Sequence, residues 1–228
     1  MQKTARILYF ASFSVVISTL IYAIVYTLSS ESGTATLFGA KISIGTLTVA
    51  LAAMILPPII IKWKKVSFSP GMILAYLVFV MGSIYGGSGL NLFWSIPHFD
   101  TLMHAFSGGM LAALGFMLIC SLHKTEKLPR SFSPLFLTLF VFCFSMTIGV
   151  LWELIEFGAD YFTGGNMLRW AEQDGTPHVG LAALYNTMWD FIANAVGAAI
   201  VAVMGYISLK NRRRFVDTLV MKKKKEPK

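Results

Sequence analysis

Charged residues are scarce in this chain. They make up 13% of its 228 residues, whereas soluble proteins contain about 25%. Hydrophobic residues make up 56%, and the mean hydropathy is +0.67. Such a composition excludes an ordinary water-soluble domain, because much of the surface must face an apolar solvent. It predicts a membrane protein.

Cysteine is also rare, and the familiar catalytic signatures are missing. Cys120 and Cys143 both lie inside apolar runs, which excludes a disulfide framework and a metal site of the cysteine type. No P-loop, G-x-S-x-G, C-x-x-C or H-E-x-x-H pattern occurs in the sequence. The sequence therefore gives no support to the enzyme classes that these motifs mark.

Long apolar runs are what the sequence does contain. A membrane-spanning helix needs about 20 apolar residues, and six runs reach that length. They are residues 7–28, 42–61, 71–90, 101–122, 135–159 and 183–207. The sequence thus predicts an all-α polytopic membrane protein with about six transmembrane helices, formed by residues 1–208 and followed by a basic tail, 209–228.

Two of these runs contain residues that disturb helices. Pro57 and Pro58 lie inside the second run, where their missing amide donors predict a kink or an end of the helix. Glycines close the third run at Gly82, Gly86 and Gly87. Gly82-x-x-x-Gly86 is typical of a close contact between helices, and a flexible helix end is the alternative interpretation.

The distribution of basic residues predicts the orientation. Of the 19 Lys and Arg residues, all but Lys41 and Arg169 fall on one side of the predicted membrane. By the positive-inside rule both termini are cytoplasmic. Nine basic residues follow Ser208, so the net charge of +8 belongs mainly to the tail. We expect this tail to contact anionic lipid head groups rather than nucleic acid, although control of topology explains it equally well.

Acidic residues and histidine gather instead toward the outer ends of spans four and five. Asp100 and His104 are four residues apart and share one helical face. The alternative makes Asp100 a helix N-cap. Glu153, Glu156 and Asp160 align as a stripe on span five, and burying three carboxylates costs several kcal/mol unless they are protonated, paired or bound to a metal.

Span six adds a third polar face at the same depth. Asp190, Asn194 and Gly197 share one side of it, and Asn194 could simply bridge two helices. At about 1.5 Å per residue, His104 lies about 5 Å inside the outer end of its span, and Glu153 and Asp190 about 10 Å inside theirs. The sequence therefore predicts one shared site within residues 97–197.

Carboxylates and imidazole that face each other can bind a divalent ion such as Zn²⁺ or Mn²⁺. The predicted metal ligands are Asp100, His104, Glu153, Glu156 and Asp190. The predicted catalytic groups are Glu153, Glu156 and Asp190, with Asn194 as the residue that orients them. The resulting hypothesis is a metal site that acts on, or binds, a lipid-linked cell-envelope substrate, with a metal-dependent hydrolase at the outer leaflet as the enzymatic form. The alternatives are a hydrogen-bonded network between helices, a proton relay in a proton-coupled transporter, and a non-catalytic envelope or resistance factor. No organic cofactor is indicated.

The outer loop between the last two spans carries two further candidates. His178 could close over the site as an additional ligand or acid, or could be an exposed loop residue. Arg169 could receive an anionic head group or pair with Glu172 at the rim.

The segments 100–104 and 190–198 resemble VanZ-like bacterial membrane proteins. Those proteins have an Asp-Lys-x-x-His start of one helix and a later Asp-x-x-x-Asn-x-x-Gly helix, and Thr101 stands here where they have Lys. With Trp152-Glu153-Leu154-Ile155-Glu156 between the two segments, the chain is also similar to the bacterial inner-membrane family typified by YjdF. The resemblance implies a multi-pass protein of the bacterial plasma membrane with a role in the cell envelope, such as the glycopeptide resistance of some VanZ-like members.

Overall fold

Helices form almost all of the regular structure. The computed structural model describes residues 3–29, 35–37, 40–41, 43–64, 66–122, 132–211, 215, 219 and 222–223. Within these residues the α-helices are α1 (Lys3–Ser29), α2 (Ile44–Lys64), α3 (Pro70–Phe79), α4 (Leu92–Ser95), α5 (Phe99–Leu122), α6 (Pro134–Thr163) and α7 (Tyr185–Lys210). A π-helix, Val80–Gly89, continues α3, and a 3₁₀-helix, Gly180–Leu184, leads into α7.

In the described part of the chain, four two-residue strands accompany the helices. Strand β1 (Thr36–Leu37) pairs antiparallel with β2 (Ala40–Lys41). Strand β3 (Val66–Ser67) pairs antiparallel with β4 (Lys222–Lys223). They are too short to form a sheet layer, so the fold class is all-α, as the sequence predicts.

Among the residues that the structure describes, five helical segments are long and apolar enough to cross a membrane. They are Thr4–Ser29, Pro70–Gly89, Phe99–Cys120, Pro134–Thr163 and Gly180–Lys210. The second predicted span also forms a helix, α2, but its apolar part, Ile44–Ile60, is shorter than the other five. These helices confirm the polytopic membrane fold, and the exact number of spans and their orientation stay predictions.

Helices α3 and α6 begin with the same N-cap motif, a serine followed by a proline. Ser69 and Ser133 each precede a proline at the first helical position, and their hydroxyls accept hydrogen bonds from the amides of Met72 and Phe136. Serine is a favoured N-cap, and proline at the first position loses no helical hydrogen bond. The Ser-Pro pairs therefore fix where α3 and α6 start.

The chain divides into two compact units. The first comprises Met1–Met103, Ile119–Pro129 and Val216–Lys228, and the second comprises His104–Leu118 and Arg130–Phe215. The core of the first unit is formed by buried side chains of α1, α2, α3 and the π-helix, including Val16, Leu47, Met54, Leu77 and Val80.

The proline pair in α2 does not end the helix, which continues to Lys64. Proline at position i leaves the carbonyl of residue i−4 without its helical donor. Pro57 therefore leaves the Ala53 carbonyl, and Pro58 the Met54 carbonyl, without a backbone N–H donor. In this structure two tyrosines supply the missing donors. The hydroxyl of Tyr76 on α3 donates to the Ala53 carbonyl at 2.9 Å.

The second carbonyl is satisfied from another helix. The hydroxyl of Tyr9 on α1 donates to the carbonyl of Met54 at 2.8 Å. The helix therefore does not end at the prolines, because neighbouring side chains replace the two lost backbone bonds, and a kink at this point stays a prediction. The same hydrogen bonds join α1 and α3 to the middle of α2.

The glycines at the end of the third span lie in close packing within the first unit. A Cβ atom on Gly82 would come within 2.7 Å of the sulfur of Met103, and one on Gly87 within 2.3 Å of the Phe93 ring. These distances favour the close-contact interpretation over a flexible end. Tyr85 on the π-helix is buried, and its hydroxyl lies 3.0 Å from that of Thr19 on α1.

In the second unit, α6 has one buried face and one exposed apolar face. Its buried residues are Leu137, Val141, Ser145, Glu153, Glu156 and Asp160. They recur every three or four residues or a multiple of this, so they form one stripe along the helix. The stripe is apolar at its start and acidic at its end. The opposite side, including Leu151, Leu154 and Phe157, is more than half exposed, as a lipid-facing surface would be.

The buried stripe of α7 consists mostly of small residues. It comprises Asp190, Ala193, Asn194, Gly197, Ala198, Ala202, Gly205 and Ser208. Small residues allow close approach of another helix. The basic loop residues Lys124, Lys127 and Arg130, the acid Glu31 and most of the predicted tail 209–228 lie outside the described residues.

Candidate membrane-embedded polar site

Three ionisable side chains from three helices meet in the second unit. His104 on α5 lies between Glu153 on α6 and Asp190 on α7. Its Nδ1 is 3.9 Å from Oε1 of Glu153, and its Nε2 is 3.9 Å from Oδ2 of Asp190. The exposed fractions of the three side chains are 14%, 5% and 2%. The structure thus brings together three of the five predicted metal ligands, the His104 imidazole and the carboxylates of Glu153 and Asp190 on its two sides.

Asp100 adds a carboxylate on the helix that carries His104. It occupies the first turn of α5, which begins at Phe99, so it lies inside the helix rather than preceding it as an N-cap. One of its ligand atoms lies within 4.8 Å of a nitrogen of His104. A carboxylate is favourable in the first turn, because the helix dipole is positive there.

Glu156 lies three residues beyond Glu153 on the buried stripe of α6 and is 8% exposed. The indole nitrogen of Trp152 donates a hydrogen bond to its Oε1 at 2.7 Å. The Trp152 side chain itself is exposed. Glu156 is therefore connected to the lipid-facing side of the helix as well as to the acidic stripe.

Asp190 has a second neighbour that the sequence argument did not assign. The side-chain amide nitrogen of Asn186, Nδ2, donates a hydrogen bond to Oδ2 of Asp190. This is the oxygen that faces His104. Asn186 lies four residues earlier, in the first turn of α7. The i, i+4 spacing of an amide and a carboxylate was the available signal.

Close backbone approach holds the three helices around this cluster. A Cβ on Gly197 would come within 1.8 Å of the Ala105 carbonyl oxygen, and one on Gly108 within 2.3 Å of the Asn194 carbonyl oxygen. The hydroxyl of Ser145 donates to the Gly108 carbonyl at 2.8 Å. These contacts set α5 against α6 and α7 within about two helical turns of the ionisable groups.

Asn194 has the contacts of a residue that joins helices. Its amide nitrogen lies 3.5 Å from the carbonyl oxygen of Ser145 and 3.3 Å from the sulfur of Met146, both on α6. It also fills the space left by Gly149, whose Cβ would come within 2.7 Å of that nitrogen. Its predicted role in orienting catalytic groups stays a prediction.

Asp160, the last acid of the α6 stripe, binds the loop that follows the helix. Its two oxygens accept hydrogen bonds from the amides of Met167 and Leu168 at 2.7 and 2.9 Å. Asn166 forms two more hydrogen bonds, with both backbone groups of Ala171. Asp160 thus shapes the loop, a role for which the charge pattern gave no signal.

The loop between α6 and α7 contains the two remaining candidates, His178 and Arg169. The Nε2 of His178 lies 3.7 Å from Oε1 of Glu172, so Glu172 has a partner other than the predicted Arg169. Arg169 has a positive φ of 51°, a conformation uncommon for residues other than glycine. The Thr176 amide donates to the carboxylate of Asp174 and lowers the pKa of Asp174 below its ordinary value.

The arrangement of His104, Glu153 and Asp190 suits a cation. An imidazolium can compensate one carboxylate, whereas a divalent ion can compensate two. Two ligands that are each about 2.1 Å from a tetrahedral zinc ion lie about 3.4 Å apart. The Nε2–Oδ2 distance of 3.9 Å therefore has to shorten by about 0.5 Å, which is within the range of a side-chain adjustment.

Comparison with known proteins gives one match. The model of a family described as "Predicted membrane protein (DUF2238)" matches residues 8–211, which include every residue of the site. No curated protein and no solved structure matches the chain.

Proposed function

Since the chain belongs to the DUF2238 family of predicted membrane proteins, we propose that its polar cluster is a divalent-metal site. The bound ion, Zn²⁺ or Mn²⁺, serves the hydrolysis of a lipid-linked cell-envelope substrate. The reaction takes place at the outer leaflet of the bacterial plasma membrane. The similarity to VanZ-like and YjdF-like proteins in segments 100–104 and 190–198 supports the envelope role.

One observation carries this proposal. Both ring nitrogens of His104 face carboxylates, each at 3.9 Å and each from a different helix. A histidine that ligates a metal through one nitrogen commonly donates its other N–H to a carboxylate. Nε2 faces the Asp190 carboxylate and Nδ1 faces Glu153, so the cluster provides both parts of that arrangement.

The geometry suggests distinct roles for the residues. His104 Nε2 and Asp190 are the proposed primary ligands. Asp100 is a further ligand, because it lies one turn from His104 on the same helix with a ligand atom within 4.8 Å of it. Glu153 orients His104 through Nδ1 or enters the ligand set directly. Asn194 keeps α6 and α7 in register beneath the site.

When bound, the ion would lower the pKa of a coordinated water and so supply a nucleophile at neutral pH. Glu156 is the proposed general base, a group that would accept the proton of the attacking water. It is buried one turn beyond Glu153, and its hydrogen bond from the Trp152 indole fixes its carboxylate. General bases of this kind contribute about 10²–10⁴-fold to a rate.

The surroundings of the cluster favour a lipid substrate. Trp152 and Leu154 on α6 and Trp189 on α7 neighbour the acidic residues in sequence and are each at least 44% exposed. Exposed aromatic and aliphatic side chains at this position suit acyl chains rather than water. A substrate anchored in the bilayer could present its head group to the site from the side.

At the other end of the chain, the basic tail is proposed to bind anionic head groups of the inner leaflet.

A proton relay is the second candidate function, and the same three side chains favour it. An imidazole between two carboxylates can accept a proton on one nitrogen and release one from the other. In that case the protein would be a proton-coupled transporter, and the cluster would require no metal.

Metal content separates the two functions. Purified protein in detergent is incubated with Zn²⁺ or Mn²⁺, desalted and analysed by mass spectrometry for metal per chain. The wild type should retain about one ion, and His104→Ala and Asp190→Ala should lose it because each removes a ligand. His178→Ala, which changes a histidine outside the cluster, serves as the control. Equal metal in the wild type and His104→Ala would contradict the metal site, and proton-driven uptake in liposomes would then test the relay.

A further inference from the structure

We propose that Asn186 is a positioning residue of this site, which holds the Asp190 carboxylate in the orientation that metal binding needs. The inference rests on the proposed function and extends it to a residue outside the ligand set. The side chains of Asn186 and His104 both face the same oxygen atom of Asp190. The Asn186 amide donates to Oδ2, and His104 Nε2 lies 3.9 Å from it.

The start of α7 fixes where this amide points. The 3₁₀-helix Gly180–Leu184 runs directly into α7, which places Asn186 in the first turn. Side chains four residues apart on a helix lie on the same face, so the Asn186 amide reaches Asp190 without crossing to another helix. The hydrogen bond thereby restricts the rotation of the carboxylate about its Cβ–Cγ bond.

The chemistry of asparagine suits this task. Its amide is a neutral donor, so it can orient an ionised carboxylate without cancelling the charge that attracts a cation. A lysine or arginine at this position would instead compete with the metal for the carboxylate. Asp190 is 2% exposed, and a buried carboxylate gains more from a fixed donor than an exposed one, because the surroundings have a low dielectric constant.

A purely structural role would have a different signature. The Asn186–Asp190 hydrogen bond spans one turn of one helix, and the backbone bonds of α7 remain when it is removed. Its loss should therefore change the affinity and the coordination geometry of the metal more than the stability of the metal-free protein. Residues that support metal ligands in this way typically change the affinity by 10- to 100-fold.

Cobalt provides a test with a readout besides activity, because its visible absorption reports coordination geometry. Co²⁺ is titrated into detergent-purified wild type, Asn186→Ala, Asn186→Gln and Asn211→Ala, and the thermal stability of each metal-free protein is measured in parallel. Asn211 is exposed at the opposite end of α7, so its replacement is the matched control.

We expect Asn186→Ala to weaken Co²⁺ binding by about 10- to 100-fold and to shift the absorption bands, with only a small decrease in the melting temperature of the metal-free protein. Asn186→Gln, which keeps the amide donor, should recover part of the affinity, and Asn211→Ala should behave as the wild type. Wild-type affinity and spectrum in Asn186→Ala would overturn the inference, as would a lower melting temperature with unaltered binding. A wild type that binds no more Co²⁺ than His104→Ala would instead overturn the proposed metal site itself.

Discussion

The two tyrosines that donate to α2 should become dispensable when the proline opposite each of them is replaced. The Tyr9 hydroxyl donates to the Met54 carbonyl, which lacks its helical donor because of Pro58. The Tyr76 hydroxyl donates to the Ala53 carbonyl, which lacks its helical donor because of Pro57. Replacing Pro58 by Ala restores a backbone N–H four residues after Met54. Tyr9→Phe should then leave no carbonyl unsatisfied.

The size of the effect follows from the cost of an unsatisfied carbonyl. In the wild-type background, Tyr9→Phe removes the donor of a part-buried carbonyl and should cost about 1–3 kcal/mol of unfolding free energy. In the Pro58→Ala background the same change should cost about 0.5 kcal/mol or less, because the helical bond is made. The coupling energy between the two positions is therefore expected to be about 0.5–2.5 kcal/mol.

The assay is reversible unfolding of the purified protein in mixed detergent micelles, followed by circular dichroism. The chain offers a crossed control. Tyr9→Phe should couple to Pro58→Ala but be additive with Pro57→Ala, and Tyr76→Phe should show the opposite pattern. Tyr161→Phe, with a side chain that is 74% exposed, should change little in any background. Additivity of all four tyrosine and proline combinations would refute the pairing of each tyrosine with one proline.

Two further predictions concern the second unit. Gly197→Ala should destabilise the protein by about 1–3 kcal/mol, because its Cβ would lie 1.8 Å from the Ala105 carbonyl oxygen. Gly158→Ala, whose Cβ meets nothing within 4 Å, should be neutral or stabilising in the same unfolding assay. Equal losses would show that α5 and α7 do not approach at Gly197. Asp160→Asn should speed hydrogen exchange at the Met167 and Leu168 amides, whereas Asp174→Asn should leave them protected; unchanged exchange in Asp160→Asn would contradict the anchoring role of that carboxylate.

The sequence was sufficient to predict the helices and the helical faces that carry the polar groups, because both depend on local patterns. Apolar runs of about 20 residues determine where a chain can span a bilayer. The three- and four-residue spacing places Glu153, Glu156 and Asp160 on one face. His104, Glu153 and Asp190 were predicted at similar depths in three helices, and in the structure they meet.

The contacts that complete the fold were not predictable in this way, because they join residues far apart in the chain. Tyr9 is 45 residues from Met54, and Ser145 is 37 residues from Gly108. No local pattern identifies which carbonyl a hydroxyl will reach. The continuation of α2 past Pro57 and Pro58 depended on such contacts, which explains why the prolines predicted an interruption that does not occur.

The direct test of the central claim is an anomalous diffraction measurement at the zinc absorption edge, on crystals of the protein grown with Zn²⁺. We expect one strong anomalous peak that lies about 2.0–2.2 Å from His104 Nε2 and from an oxygen of Asp190. A peak elsewhere, or no peak near His104 at saturating Zn²⁺, would contradict the assignment of this cluster as a metal site.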